Sequence, residues 1–254
     1  MRGLFVTGTD TGVGKTVLSA ALLAALRSAG EPVLAYKPAV TGLDEPPASD
    51  GQAQWPADHE LLAAAAAMAP EDVAPLRYGP AVSPQLAAEM AGAPLARERV
   101  LDGAREALAA ATEPVERREG AERSGRTLVV EGVGGLLSPL AEEMTVCDLA
   151  VAMRLPLLIA ARPGLGTVNH TLLTLQVARA SGLSVRAVVL TPWPEHPSRL
   201  EQSNRAAIAR LGFVEVDTLA RAATPTIDEL ARVGSELPWR RWLGESARVA
   251  QAAT

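Results

Sequence analysis

The sequence predicts an α/β fold with a mostly parallel sheet and helices on both faces. Short apolar runs typical of buried strands alternate along the chain with longer segments whose apolar residues recur at helical spacing. The first apolar run leads directly into a glycine-rich loop that opens a helix. Strands joined through helices lie parallel in one sheet, and ligands bind at the carboxyl ends of such strands.

Short apolar runs mark the strands, and apolar residues three or four positions apart mark the helices. The first helix ends before Gly30, the second strand stops at Pro38, and Asp58 is predicted as the N-cap of an Ala-rich helix. In chain order the predicted strands are 4–7, 33–37, 127–131, 155–161, 185–191 and 213–216, and the predicted helices are 15–29, 58–68, 97–112, 167–181 and 199–211.

Three segments fall outside this alternation. Residues 43–57 hold three prolines and little periodicity, which indicates a mobile loop. Residues 113–126 are nearly all polar and are interpreted as a solvated excursion within the domain. We therefore predict a single α/β domain over residues 1–236, followed by a C-terminal tail over residues 237–254 whose role is left open.

Composition limits the class of protein. The 254 residues are 48% hydrophobic but only 3% aromatic, which is typical of a globular enzyme with a core of Ala, Leu and Val. The formal net charge of −5, without a long basic run, argues against nucleic acid or a membrane as a partner. Cys147 is the only cysteine, so no intrachain disulfide is expected. No apolar stretch has the length of a signal peptide or of a membrane helix of about 20 residues, so we expect a cytoplasmic protein.

The stretch GTDTGVGKT, residues 8–16, links the first strand to the first helix and reads as a phosphate-binding P-loop. Its opening glycine stands one residue earlier than the strict G-x-x-x-x-G-K-[ST] pattern requires. Inward-pointing backbone N–H groups and the helix macrodipole bind phosphate in such loops. Lys15 would contact the β- and γ-phosphates and Thr16 would ligate Mg²⁺, while Gly12 and Gly14 permit close approach. The fold is therefore expected to be P-loop NTPase-like; a glycine-rich turn that only begins a helix is the alternative.

A magnesium site needs further oxygen ligands, because Mg²⁺ usually takes one or two carboxylates together with phosphate oxygens and water. Glu131 ends an apolar strand in TLVVEGVGG, residues 127–135, and glycines follow it. Asp58 is the second candidate, although an N-cap role alone would explain it. The predicted metal ligands are Thr16, Asp58 and Glu131.

A second lysine, Lys37, ends the second predicted strand in AYKPAVTG, residues 35–42. It is expected to face the same crevice as the P-loop, although a solvated lysine at a strand end is the commoner case. Two lysines that converge on a phosphoryl group suit a reaction in which anionic oxygens are generated and transferred.

Four stretches together resemble the dethiobiotin synthetases: GTDTGVGKT, YKPAVTG, VEGVGGLLSPL and GLGTVNHTLLT occur in that family's order and at similar spacing over residues 3–215. The resemblance implies an ATP-dependent cyclo-ligase of biotin biosynthesis that acts on 7,8-diaminononanoate and CO₂. It also implies a carbamate that receives the γ-phosphoryl group of ATP, after which the second amine displaces phosphate. A homodimer is implied as well.

The resemblance assigns roles to individual residues, with Lys37 and Lys15 as catalytic residues. The nucleotide-binding residues are Gly12, Val13, Gly14, Lys15, Thr16, Val17, Asp58, Glu131, Gly132, Val133, Gly134, Thr191, Pro192 and Trp193. The substrate-binding residues are Thr11, Lys37, Thr41, Gly164, Leu165, Gly166, Thr167, Val168 and Asn169, of which the last six form a turn whose N–H groups would bind the substrate carboxylate.

The chain departs from the family pattern at two places. Position 12 is glycine, where some members carry an acidic residue. The segment TPWPEHP, residues 191–197, replaces one in which many members carry an asparagine that reads adenine. The preference for ATP over other triphosphates is therefore left open, with Trp193 as a candidate to stack on the base or wall its pocket.

Two other functions are compatible with a P-loop of this kind. One is another P-loop amidoligase of the cobyrinate diamide synthase type, but that activity needs a glutamine-hydrolysing domain with a nucleophilic cysteine, and Cys147 lacks a glycine-rich elbow. The other is a nucleotide-switched partition or positioning ATPase. Such proteins typically carry an additional lysine early in the loop, where this chain has Gly8, Thr9 and Asp10.

Overall fold

A central parallel sheet organises the chain in the computed structural model, which describes residues 1–45, 55–115 and 125–244. The strands are β1 (Gly3–Gly8), β2 (Val33–Tyr36), β3 (Ala39–Val40), β4 (Leu76–Arg77), β5 (Thr127–Gly135), β6 (Pro139–Ala141), β7 (Met144–Thr145), β8 (Leu157–Ala161), β9 (Val185–Trp193) and β10 (Val216–Ala220). The helices are α1 (Lys15–Ser28), α2 (Asp58–Ala66), α3 (Pro70–Val73), α4 (Pro84–Met90), α5 (Arg97–Thr112), α6 (Val146–Met153), α7 (Thr167–Ala180), α8 (Arg199–Gly212), α9 (Ile227–Ser235) and α10 (Trp239–Trp242).

Within the described residues the central sheet has six strands in the order β10-β9-β8-β1-β5-β2, and every pairing in it is parallel. Strand β1 lies between β5 and β8, so the loop that follows β1 emerges between the ends of two neighbours. Tyr36 of β2 pairs with Val130 of β5, which places the next residues of the two strands, Lys37 and Glu131, side by side. The register of the sheet thus determines the position of the predicted site.

Different helices cover the two faces of the sheet. Successive residues of a strand point to opposite faces. Leu4 and Val6 of β1 therefore pack with α1, α2, α9 and α10, whereas Phe5 packs with α5, α6, α7 and α8. This arrangement confirms the predicted α/β class with helices on both faces.

Most predicted boundaries differ from the structure by one to four residues, and two of the differences have a clear physical reason. Ala57, not Asp58, is the N-cap of α2, because the Glu60 carboxylate accepts a hydrogen bond from the Ala57 N–H at 3.1 Å and Asp58 is already helical. The last strand covers Val216–Ala220 rather than residues 213–216, since α8 continues to Gly212 and Phe213 ends it in the left-handed conformation. Phe213 is 87% exposed, so its apolar character misled the strand prediction.

The C-terminal part of the chain packs into the core beyond the predicted boundary at residue 236. Trp239 and Trp242 of α10 are buried in the same apolar cluster as α1 and α9. Arg241 forms ion pairs with Glu215 and Asp217, at the edge strand β10. The apolar cluster that includes α1 and α9 therefore extends to Leu243, and residues 245–254 of the predicted tail lie outside the described residues.

The other two irregular segments are only partly described. Residues 46–54 of the predicted mobile loop and residues 116–124 of the predicted polar excursion lie outside the described residues. None of the helices described is both long enough and apolar enough to span a bilayer.

We expect Trp242→Ala to lower the free energy of unfolding by about 3–5 kcal/mol, because it removes a fully buried indole and leaves a cavity against α1. Urea denaturation measures this, with Trp55→Ala as the control, since Trp55 is 38% exposed. A loss below about 0.5 kcal/mol, the level of a typical surface change, would show that α10 is not part of the core.

Candidate active site

The P-loop joins the centre of the sheet to α1. Gly14 caps α1 in the left-handed conformation, with φ of 93°, and a Cβ atom there would lie 2.9 Å from Cγ2 of Thr191. Both the backbone angle and the neighbouring β9 side chain therefore require glycine. The N–H of Thr9 donates to the Ala160 carbonyl at 3.0 Å, which ties the start of the loop to β8.

Lys15 is the first residue of α1 and is buried. Its Nζ donates to the carbonyl oxygen of Asp10, within the same loop, at 2.9 Å. Burial lowers the pKa of Lys15, and the nearby Lys37 ammonium adds to this effect, while Glu131 opposes it. Among the described residues, this neutral carbonyl is the hydrogen-bond partner of Lys15 Nζ, so the ammonium gains charge stabilisation when an anion enters the loop.

Lys37 lies between two carboxylates at the carboxyl edge of the sheet. Its Nζ is 2.5 Å from Oε1 of Glu131 and 3.0 Å from Oδ2 of Asp58. Burial disfavours the ammonium form, but the two carboxylates outweigh it and raise the pKa of Lys37. Partial burial likewise favours neutral Asp58, but the Lys37 ammonium outweighs it and lowers the pKa of that carboxyl. The two carboxylates therefore favour the ammonium form of Lys37, which donates hydrogen bonds to both of them.

The predicted metal ligands are brought together. Thr16 Oγ1 donates to Oε1 of Glu131 at 2.9 Å, and the ion pairs of Lys37 link Glu131 to Asp58. The second carboxylate oxygen of Glu131, Oε2, is buried and has no hydrogen-bond partner among the described residues. An acceptor oxygen in that state fits a cation ligand.

The described part of the chain contains no cluster of three or more His, Cys, Asp or Glu side chains suited to a metal. Two carboxylates and a hydroxyl instead fit Mg²⁺ that is bound together with nucleotide phosphates, the usual mode for this ion.

A cleft of about 680 Å³ is lined by Thr16, Lys37 and Asp58. Glu131 contacts Thr16 and Lys37 but is itself buried and is not among the residues that line the cleft. The predicted site residues that line it are Thr11, Gly12, Gly14, Lys15, Thr16, Val17, Lys37, Thr41, Asp58, Val133 and Gly134. Residues that sequence reasoning did not identify also line the cleft, among them Val82, Ser83 and Ser138. Ser83 caps α4, and Oγ of Ser138 accepts a hydrogen bond from the Gly135 N–H at 2.8 Å. The sequence signal that could have pointed to these two serines is the Ser-Pro dipeptide at 83–84 and at 138–139, since such dipeptides mark turns.

Several predicted site residues lie outside this cleft. Thr191 is buried against Gly14, and Val13 is buried in the core. Trp193 lines a separate groove of about 560 Å³ beside α8, together with Gln202 and Arg205. Gly132 is packed against side chains of the core, while Pro192 lies between Thr191 and Trp193 near the end of β9.

The predicted turn for the substrate carboxylate is also separate from the cleft. Gly166 is the N-cap of α7, in the left-handed conformation with φ of 89°, and Thr167 begins the helix. Leu165 is 91% exposed, so the turn projects from the surface of the chain. The other residues of the predicted turn are Gly164, Val168 and Asn169. Asn204 of α8 donates to the carbonyl oxygens of Pro163 and Gly164 and holds the turn in place.

Comparison with known proteins supports an ATP-dependent ligase. A family model described as an AAA domain matches residues 2–232. An ATP-dependent dethiobiotin synthetase BioD from Anaeromyxobacter sp. (strain Fw109-5) is 43% identical over 213 residues, 83% of this chain and 86% of the relative. The proteins of the same name from Mycobacterium avium (strain 104) and Mycobacterium marinum (strain ATCC BAA-535 / M) are 40% and 38% identical, and each match covers 96% of this chain and 98% of the relative.

These matches extend over nearly the whole chain, and they confirm the resemblance inferred from the four motifs. The chain belongs to the family of ATP-dependent dethiobiotin synthetases.

Proposed function

We propose that this protein closes the ureido ring of dethiobiotin from 7,8-diaminononanoate and CO₂, at the expense of ATP. One amine attacks CO₂ and loses a proton, which gives a carbamate. The carbamate oxygen attacks the γ-phosphorus and ADP leaves. The second amine then attacks the carbonyl carbon, and phosphate and a proton are released.

The observation that carries this proposal is the position of Lys37. Its side chain is buried, is held by Glu131 and Asp58, and lines the same cleft as Lys15 and Thr16 of the P-loop. Negative charge develops on the carbamate and on the transferred phosphoryl group during the reaction. Fixed cations in a site of low water content stabilise such charge far better than solvent does.

The two lysines have different parts in this scheme. Lys15, whose Nζ contacts the Asp10 carbonyl and no carboxylate of the described residues, binds the β- and γ-phosphates as they enter the loop. Lys37 donates to the carbamate and stabilises it as the mixed anhydride with phosphate forms. When bound, Mg²⁺ supplies charge that offsets the phosphate oxygens, and Thr16, Asp58 and Glu131 are the residues that would hold it.

We infer that the enzyme works as a homodimer and that the turn at residues 164–169 serves the cleft of a second copy. In support, the turn lies at the surface and away from the cleft of its own chain. The N–H groups at the start of α7, a helix of 14 residues, suit a carboxylate. Leu137 and Leu173, which are exposed, line a depression of about 420 Å³ between the P-loop and α7. We call these two leucines and Leu165 the leucine surface and assign it to the dimer interface.

The other functions considered have less support. Cys147 is buried, with its Sγ 3.3 Å from the Ser181 hydroxyl, which does not suit the exposed nucleophile of a glutamine-hydrolysing domain. The relatives across the chain are named as ligases, not as positioning ATPases. We still predict that the adenine base of ATP binds at the end of β9, near Thr191, Pro192 and Trp193.

We expect Lys37→Ala to lower kcat for dethiobiotin formation by about 10²–10³-fold, the usual cost of removing a donor to a developing anion. Nucleotide binding should be retained, because Lys15 and the loop N–H groups remain. Formation of product and phosphate is measured with ATP, Mg²⁺ and bicarbonate, and ATP affinity by calorimetric titration. Lys37→Met, which keeps the apolar stem, controls for the loss of packing. A variant that lost ATP binding but kept its kcat would assign Lys37 to the phosphates instead.

The wild-type protein tests the proposed function itself: phosphate release should depend on the diamine. Release at the same rate without diamine would contradict the ligase and favour a nucleotide-switched ATPase.

We expect Glu131→Gln to weaken the Mg²⁺-dependent part of ATP binding by about tenfold or more, because even indirect partners of a metal ion act on this scale. ATP affinity is titrated over a range of Mg²⁺ concentrations. Glu142→Gln, which removes the same charge from an exposed position, should bind as the wild type does. An unchanged dependence on Mg²⁺ in Glu131→Gln would remove Glu131 from the metal site.

We expect Leu173→Asp to dissociate the dimer, because it would bury a carboxylate without a partner in the leucine surface. Sedimentation velocity measures the assembly, and KM for the diamine should rise in parallel as the turn of the second copy is lost. Leu211→Asp, at a similarly exposed position on α8, is the control. A dimeric Leu173→Asp variant with normal KM would show that this surface is not the interface.

A further inference from the structure

Arg162 follows directly after β8 and reaches the P-loop from the side. Its Nη2 lies 3.2 Å from the carbonyl oxygen of Gly12 and 3.5 Å from that of Thr11, and its Nε lies 3.4 Å from the Gly12 oxygen. The side chain is exposed, and no described carboxylate forms an ion pair with it. Neither the sequence motifs nor the proposed mechanism uses this residue.

The two carbonyl groups that Arg162 contacts belong to peptide units whose N–H groups are those of Gly12 and Val13. In a planar trans peptide the C=O and N–H bonds point in opposite directions. A donor that holds both carbonyl oxygens on its own side therefore turns both N–H groups away from itself. Arg162 is not among the residues that line the cleft, whereas Thr11 and Gly12 are, so the opposite side of these peptides is the phosphate side.

The absence of a side chain at Gly12 leaves room for the contact with Arg162. Its φ of 68° is in the left-handed region that favours glycine. A Cβ atom at position 12 would also lie 3.1 Å from Nη2 of Arg162, closer than ordinary contacts allow. A side chain at position 12 would thus compete with the arginine for the same space.

Arginine suits this position better than lysine would. The planar guanidinium presents several donors in a fixed fork and can hold two carbonyl oxygens at once, whereas an ammonium is a point donor. Its charge is permanent and lies beside the loop, where a positive potential favours an incoming triphosphate.

We propose that Arg162 is a positioning residue that orients the Gly12 and Val13 N–H groups of the P-loop toward the nucleotide phosphates. The inference rests on the proposed binding of nucleotide by this loop. It assigns Arg162 no contact with the reacting atoms; its effect passes through the loop backbone.

The test compares a triphosphate analogue with adenosine, the nucleoside that carries no phosphate. We expect Arg162→Ala to weaken binding of adenylyl imidodiphosphate, a non-hydrolysable ATP analogue, about tenfold, equivalent to about 1.4 kcal/mol. Binding of adenosine should stay within about twofold of the wild type. Arg162→Lys keeps the charge but has a single point donor, so its affinity for the analogue should lie between those of the wild type and Arg162→Ala. Because the loop N–H groups bind phosphate before and during the reaction, KM for ATP should rise while kcat changes little.

Arg186→Ala is the matched control, since it removes an equal exposed charge from the other end of the neighbouring strand β9. Unchanged binding of the analogue by Arg162→Ala would overturn the proposal, as would an equal loss for adenosine. Full recovery in Arg162→Lys would assign the effect to charge alone and overturn the orienting role. If the wild-type protein did not bind the analogue, that result would contradict the proposed function itself. A failure of the proposed function is therefore distinguishable from a failure of the role proposed for Arg162.

Discussion

The buried contact between Lys37 and Glu131 is the interaction on which the site depends. Removing two charges from water costs several kcal/mol for each ion, and their attraction only roughly offsets that cost. Such a pair therefore adds little stability for its own sake. Here it is completed by Asp58, from α2, and by the Thr16 hydroxyl, from α1, so that it ties the second strand to the helix that follows the P-loop.

The sheet makes this contact possible. Parallel strands bring their carboxyl ends to one edge, and the pairing of Tyr36 with Val130 brings the residues after them together. A shift of one residue would turn Lys37 or Glu131 to the opposite face. The two lysines of the site also differ in their surroundings. Carboxylates keep Lys37 ionised, whereas Lys15 has a carbonyl partner and a lowered pKa. One cation is held by carboxylates of the protein, and the other is the lysine that the proposed function assigns to the phosphates.

Much of the fold followed from sequence because its signals are local. Apolar runs and helical spacing located five of the six strands of the central sheet and the helices α1, α2, α5, α7 and α8, and the Gly-Lys-Thr ending located the P-loop. The helices α6 and α9 were not predicted. The errors lie where a local signal competes with packing. Asp58 has the residue type of an N-cap, yet its carboxylate pairs with Lys37 while Glu60 satisfies the Ala57 N–H. The chain after residue 236 has no strand pattern, yet α10 packs in the core through Trp239 and Trp242.

The sequence by itself determined the family, the P-loop and the identities of Lys15, Lys37, Glu131 and Asp58 as candidates, because these are properties of residue type and spacing. Only the tertiary structure decided which groups touch. It brought Glu131 to Lys37 across 94 positions and Arg162 to Gly12 across 150, and it separated the cleft from the turn at 164–169. Such contacts depend on strand order and register, which many sequences share and which no short motif records.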